Sequence, residues 1–399
     1  MYKGIILFFA GINLIFGQSN LNKLEAEGFE NLAEFKQESH YFLTYENNRY
    51  RYEGDALAIV LALLEYSDNL TDISILIQNR GLPMTKVHFS SQSWLNFKSG
   101  LIGIEDWIQQ AEFSINVDQI ANLFEDLKKT NESFKKFDAV VGLSLDYILG
   151  NYDNSIRQKI NIQPELQSVL GPGVILSGRY NIPTFNDVDN EDSYMVMSRL
   201  TQDFRFKKNT FLNINVGYFT NSRFGIYSRM DRFLDAERLR LRVDFGITRM
   251  GRLNKDFEAE SNTINKYIMT GGFIYRWNKY DTDLSFRYGT FLGTDLGYKA
   301  RMTRQFNEVF VSLFLNKTNF GSMVGFDFRV PIGPKKHLKP KRIRIRTREH
   351  FDLIYNYVSD ANNIATEFFT GSNILNQFTE YYPEVLRKSL IERLKLKRF

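Results

Sequence analysis

Between Phe134 and Pro331 apolar and polar residues alternate along one segment after another. The clearest run is Arg238 to Thr248. Leu239, Leu241, Val243, Phe245 and Ile247 share one face, and Arg238, Arg240, Arg242, Asp244, Gly246 and Thr248 the other, because successive strand side chains point to opposite sides. Leu212, Ile214, Val216 and Tyr218 oppose Asn213, Asn215 and Gly217 in the same way. So do Val324, Phe326, Phe328 and Val330 against Met323, Gly325, Asp327 and Arg329, and Val141, Leu143, Leu145 and Tyr147 against Gly142, Ser144 and Asp146. The segments run to about 10 to 13 residues, beyond the usual soluble strand of about 5 to 6 and long enough to cross a bilayer. Short Gly, Asn and Asp clusters separate them, and tyrosine and phenylalanine gather near their ends, as in aromatic girdles. The pattern predicts an antiparallel transmembrane β-barrel of about 12 strands over residues 133–333. A soluble β-sandwich or solenoid is the competing reading, since its strands also alternate.

Residues 18–132 have the texture of a small α+β domain. Leu21, Leu24 and Phe29 fit a short helix and its exit. Tyr41 to Glu46 alternates as a strand, Asn47-Asn48 is a hairpin turn and Arg49 to Glu53 returns as the second strand. Ala56 to Leu64 reads as a helix, Ile73, Ile75 and Ile77 as a strand that pairs with Lys86 to Ser90, and Trp107 to Leu127 as mostly helical. The predicted order is α-β-β-α-β-β-α.

Ahead of this domain, Lys3, the apolar run Gly4 to Phe16 and small or neutral residues at Gly17, Gln18 and Ser19 form the pattern of a signal peptide over 1–17. A buried N-terminal helix is the alternative. Beyond residue 17 no apolar run reaches the roughly 18 to 20 residues of a spanning helix. After Gly333 the texture changes again. Lys335, Lys336, Lys339, Lys341, Arg342, Arg344, Arg346 and Arg348 make a basic stretch, and Glu384 to Lys397 is helix-compatible, with Leu386, Leu390 and Leu394 on one stripe. Residues 334–399 are expected to form a basic, partly helical periplasmic extension and not a last strand.

The chain has 399 residues, no cysteine and a formal net charge of +5. Without cysteine there is no disulfide framework, thiolate metal site or cysteine nucleophile. A net charge this small selects no partner, and a secretion signal argues against nucleic acid. The four histidines are His40, His88, His337 and His350, and none lies between Phe134 and Pro331. That leaves the expected barrel without a histidine base. No two histidines have metal-ligand spacing, and the pair Glu191 and Asp192 or Asp281 and Asp283 falls in loops or at strand ends. Gly171-Pro172-Gly173 and Gly271-Gly272 lack the context of a phosphate loop. The reading is a non-enzyme with no catalytic residues, no metal site and no cofactor.

The expected lumen face stands out for its basic side chains: Arg179, Arg199, Arg205, Arg238, Arg240, Arg242, Arg287, Lys299, Arg301 and Arg329. Asp146, Glu165, Asp203, Asp244, Asp283 and Asp327 oppose them. Such a face serves either as a cationic surface for an anionic polymer or as interlocking charge pairs that hold a narrow barrel closed.

Gly28-Phe29-Glu30-Asn31 followed by Tyr45-Glu46-Asn47-Asn48-Arg49-Tyr50-Arg51 resembles the periplasmic module of the YjbH-like proteins, outer-membrane proteins linked to exopolysaccharide and capsule production. Leu170-Gly171-Pro172-Gly173, with Arg199-Leu200-Thr201-Gln202-Asp203-Phe204-Arg205, is similar to the strands that open the barrel in that family. The resemblance implies a non-enzymatic outer-membrane barrel of a Gram-negative cell that assists export or surface assembly of a polysaccharide, and it supplies no catalytic residues. The expected partners are outer-membrane lipid, an anionic polysaccharide and periplasmic export proteins docked on the N-terminal domain. A structural or adhesion-type barrel without transport, and an outer-membrane enzyme acting on lipid or glycan, are the alternatives.

Overall fold

The protein is described here by a computed structural model covering residues 17–65, 70–149, 156–188, 192–234, 238–253, 259–339, 341–358, 364–371 and 375–396. The expected signal segment up to Phe16, Glu191 and Lys397 to Phe399 lie outside the described residues. The chain divides into two units: Met1–Ser133 with Lys335–Pro340 and Phe378–Phe399, and Phe134–Pro334 with Lys341–Gln377.

The first unit is built on a five-stranded sheet in the order β1-β2-β3-β4-β5. α1 (Gly17–Glu27) leads into β1 (Glu30–Gln37), which turns at Glu38, φ +54, and returns as β2 (His40–Glu46). α2 (Glu53–Leu63) connects to β3 (Asp72–Asn79), parallel to β2, and β4 (Leu82–Ser90) returns antiparallel. α3 (Ser91–Lys98) starts on the Ser90 hydroxyl, which accepts the Ser93 N–H at 3.2 Å. α4 (Ile104–Gln110), β5 (Glu112–Ser114) and α5 (Asp118–Leu123) complete the N-terminal run.

Helix α2 and the β3–β4 pairing follow the sequence reading, and two other expectations are corrected. Arg49 to Glu53 is no strand. The Asn47 side-chain oxygen accepts the N–H groups of Arg49 (3.1 Å) and Tyr50 (2.8 Å), a side-chain turn that steers the chain into α2. The partner of β2 is instead β1, whose residues Glu30 to Ala33 are buried in succession and so show no alternation. Trp107 to Leu127 is likewise no single helical stretch. Phe113 is drawn opposite Val87 at the sheet edge, and this pairing overrides the helical spacing on either side.

The apolar face of the sheet buries Tyr41, Leu43, Tyr45, Ile73, Ile75 and Ile77. The far C-terminus belongs to the same core. In α6 (Pro383–Leu396) the expected stripe of Leu386, Leu390 and Leu394 is buried. Arg393 meets Asp55 at 2.8 Å, and the backbone of α2 comes so close to α6 that a Cβ on Gly54 would overlap the Ser389 side chain.

Glu53, at the start of α2, is 1% exposed and accepts the Tyr45 hydroxyl at 2.6 Å. Burial pushes its carboxyl up to about 7, against the lowering effect of the Tyr45 and Asn47 hydrogen bonds. A carboxyl raised in the folded state stabilises the fold fully below the unfolded value of about 4.5 and loses that contribution as pH rises through about 7. Unfolding in urea, followed through Trp94 and Trp107, should therefore show stability falling by roughly 3 kcal/mol between pH 4.5 and 8 from this group. Glu53→Gln should remove most of that slope. An unchanged slope would place the pH dependence elsewhere.

The second unit is dominated by a 14-stranded sheet in the order β18-β6-β7-β8-β9-β10-β11-β12-β13-β14-β15-β16-β17-β19. Twelve consecutive antiparallel strands form its body: β6 (Phe137–Leu149), β7 (Ile156–Gly171), β8 (Val174–Asn186), β9 (Tyr194–Phe206), β10 (Thr210–Phe219), β11 (Arg223–Leu234), β12 (Leu239–Leu253), β13 (Ala259–Trp277), β14 (Thr282–Phe291), β15 (Asp295–Phe306), β16 (Val309–Thr318) and β17 (Gly321–Pro331). They are 10 to 19 residues long.

The other two strands correct the expectation of a separate extension. β18 (Ile343–Thr347) pairs parallel with β6, and β19 (His350–Val358) pairs antiparallel with β17. Basic residues masked the same alternation here: Ile343 and Ile345 are exposed and Arg344 is buried between them. Arg348 and Glu349 alone separate the two strands, so one stretch of chain reaches both edges of the sheet. Across this seam the Arg348 N–H bonds the Val141 carbonyl at 3.0 Å and the Tyr147 hydroxyl bonds the Ile354 carbonyl at 3.1 Å. No ladder between β6 and β19 closes the sheet into a barrel among the described residues.

Candidate functional site

The large sheet is inverted relative to a soluble one. On β12, Leu241, Val243, Phe245 and Ile247 are 43 to 46% exposed, while Arg240, Asp244 and Thr248 are 8% exposed or less. Leu313, Val324, Phe326 and Phe328 are exposed on other strands, whereas Asp203, Asn213, Asn215, Asp231 and Ser312 are wholly buried. Burying ionised side chains costs several kcal/mol apiece unless each meets a partner, so the buried face is organised as pairs.

The register of β11 and β12 sets Asp231 opposite Arg242. The Asp231 carboxylate takes Arg242 Nε and Nη2, each at 3.0 Å, and has Arg240 at 3.5 Å. Arg240 also lies over the Phe233 ring. Asp244 accepts the Tyr227 hydroxyl at 2.5 Å, Arg229 at 2.8 Å and Thr270 at 3.2 Å, with Arg287 at 3.6 Å. Glu165 holds Arg179 through two bonds of 2.8 and 2.6 Å. Arg199 donates to Ser177, Thr201 and Asn215 at 3.1, 2.9 and 2.9 Å. Arg301 pairs with Asp327 at 2.5 Å and Arg329 with Asp352 at 3.3 Å. Arg205 bonds Asn209 at 3.1 Å and lies over the Phe211 ring. Arg238 stands exposed just ahead of β12.

The basic residues singled out in sequence are thus spread over several partners, with Asp231 taking two of them. Of Arg238, Arg240 and Arg242, the last two converge on Asp231, a carboxylate outside the six expected to oppose the basic face. Asp203, Asp244 and Asp283 are among those six expected carboxylates. Asp203 instead accepts the Asn213 amide at 2.6 Å, and Asp283 meets Arg276 at 3.2 Å. The sheet also carries a histidine after all, since His350 opens β19, where its ring meets Phe310 edge-on.

The feature with no sequence signal is the segment after β19. Residues 364–371 and 375–377 have no strand of their own and lie along the buried face of the sheet. The Ala365 N–H bonds the Asp295 carboxylate at 2.7 Å, and the Phe369 N–H bonds the Thr220 hydroxyl at 2.6 Å. Gly371, at φ +86, packs on the Arg199 guanidinium so tightly that a Cβ would sit 2.6 Å from it. The Leu375 carbonyl faces Arg240 at 3.4 Å, and the Asn376 amide oxygen takes Arg229 at 2.8 Å. This segment therefore touches β9, β11, β12, β14 and β15. At its centre the Glu367 carboxylate takes both terminal nitrogens of Arg287 at 2.7 and 3.0 Å and the Lys299 ammonium at 2.6 Å.

In the first unit His40 and His88 both bond the Ser74 hydroxyl, at 2.9 and 3.0 Å, and Asp72 lies 4.0 Å from His88. Burial, then the proximity of His88, pulls His40 below the ordinary histidine value. Ser74 is buried and the carboxylate is beyond hydrogen-bond reach, so the group serves as a polar link between β2, β3 and β4.

Fold and buried face together define a two-unit protein: a small α+β unit, and a long-stranded antiparallel sheet with an apolar outside and a charged, self-paired inside. A family model described as exopolysaccharide biosynthesis protein YbjH, of the family YjbH, matches residues 17–199. That span, just under half of the 399 residues, is similar to a family whose description is exopolysaccharide biosynthesis. The matched span takes in Gly28 to Asn31, Tyr45 to Arg51 and Leu170 to Gly173, and ends at Arg199 within the last of the quoted motifs. Neither the search of curated proteins nor the search of solved structures found a match.

Proposed function

We propose that this protein is a non-enzymatic β-barrel of the Gram-negative outer membrane that assists export or surface assembly of an exopolysaccharide or capsule, with its N-terminal unit in the periplasm. The observation that carries the location is the inverted polarity of the large sheet. An exposed face of Leu, Val, Ile and Phe backed by buried Arg and Asp is stable where the outside solvent is lipid. The twelve strands from β6 to β17, each of at least 10 residues, suit the same setting. Closure would fall at the seam where the 343–358 stretch meets both edges. The family match to residues 17–199 supports the polysaccharide role. The buried face supports a second reading as well, a barrel that transports nothing, because its charges are paired and the segment from Ile364 lies along that face.

The chain should fractionate with outer membranes and shift in gel mobility on boiling, since closed barrels resist detergent until heated. Its deletion should lower surface polysaccharide. Recovery in the soluble periplasm sinks the location. Normal polysaccharide in the deletion strain, with the barrel present in the parent, leaves the structural reading.

A further inference from the structure

Glu367 and Phe368 are neighbours on the segment that crosses the buried face, and each fills a different kind of site. The carboxylate is gripped by the planar fork of Arg287 and by Lys299, the arrangement that recognises a two-oxygen anion. The Phe368 ring stacks on Phe219 with centroids 5.2 Å apart and planes at 9°, and meets Tyr227 edge-on at 5.4 Å. A carboxylate beside a flat apolar ring face is the outline of a uronic acid, whose carboxylate adjoins a ring with C–H groups that stack on aromatics. Resting on the exopolysaccharide reading above, we propose that Arg287, Lys299, Phe219 and Tyr227 form a binding subsite for a uronate unit of an acidic glycan, which Glu367 and Phe368 occupy in cis in this structure.

The charge balance fits an exchange. Arg229, Arg287 and Lys299 face Asp244 and Glu367, so withdrawing Glu367 leaves three cations against one carboxylate. An incoming uronate carboxylate restores the pairing. The segment carries no regular structure, and apart from the Glu367 carboxylate it is held mainly by bonds to turns and strand ends, such as the Asn221 amide on the Glu367 carbonyl at 2.6 Å. A segment without a continuous backbone ladder opens at lower free energy than the ladders around it. A tethered occupant also competes at high effective concentration, so a free glycan binds weakly until the segment leaves.

Calorimetric titration of the purified full-length protein in detergent tests this, with oligogalacturonate as the probe and neutral dextran and dextran sulfate as comparators. Two variants clear the site: Glu367→Gln with Phe368→Ala, and replacement of residues 364–371 by a Gly-Ser stretch. Both should bind oligogalacturonate roughly tenfold tighter than the parent, and adding Arg287→Gln and Lys299→Gln should abolish the gain. If the segment replacement does not fold by circular dichroism, the double substitution carries the test. No gain in a folded variant, or a gain that survives loss of Arg287 and Lys299, overturns the subsite. Equal gain for dextran sulfate overturns the uronate assignment. Because binding is measured on isolated protein, a uronate gain in a chain that fractionates outside the outer membrane would keep the subsite and refute the location instead.

Discussion

Asp231→Leu should destabilise the large sheet by about 3 to 5 kcal/mol, the cost of leaving a buried charge without its partner. The carboxylate is completely buried and is shared by Arg240 and Arg242, so its loss strands two guanidinium groups at once. Neither has a second carboxylate within ion-pair distance among the described contacts. The folded fraction, read from the gel species that shifts on boiling, should drop sharply, with a lower urea midpoint for whatever folds. Adding Arg240→Met and Arg242→Met should recover most of the loss, because a buried ion cluster exchanged as a whole for apolar residues is often neutral. If surface polysaccharide falls only in proportion to folded protein, these arginines act in structure and not as a conduit. Single-variant stability equal to that of the parent would remove the pairing from the account of the fold.

Val243→Arg should cost roughly 2 to 4 kcal/mol in a lipid bilayer, the depth-dependent cost of a charge on the lipid face of a barrel. Val243 is 46% exposed in the first half of β12, between Arg242 and Asp244 on the opposite face. On a water-facing sheet the same change would be nearly neutral, so the measurement separates the membrane reading from a soluble β-fold. Val243→Leu is the control and should leave folding into vesicles unchanged. Equal folding of both variants would show that this face does not meet lipid.

How far the sequence could be read depended on whether a residue's environment is local. Leu239 to Thr248 announces its two faces because a strand's side chains alternate whatever the partner strand is, and β12 has the expected faces. The helical stripe of Leu386, Leu390 and Leu394 was equally plain. That the stripe packs beside Gly54 and Asp55, more than 300 residues earlier in sequence, was not. The expected 49–53 strand failed because Asn47 bonds its own backbone neighbours, a choice decided at the level of one side chain. The strand at 343–347 is hidden in the sequence because Arg344 and Arg346, which the fold turns inward to Asp138, read as part of a solvated basic tail.

The site divides in the same way. Composition and alternation alone determined that a face rich in arginine would lie opposite a face of Leu, Val and Phe, and that aspartates would stand among the arginines. Only the tertiary structure decided which carboxylate meets which arginine, since strand register sets that and a slip of one residue exchanges the faces. It alone placed Asp231 between Arg240 and Arg242, and Glu367 on Arg287 and Lys299 across 80 and 68 residues of chain. Periodicity is a property of neighbours along the chain, and the occupant of a buried face is chosen by neighbours in space.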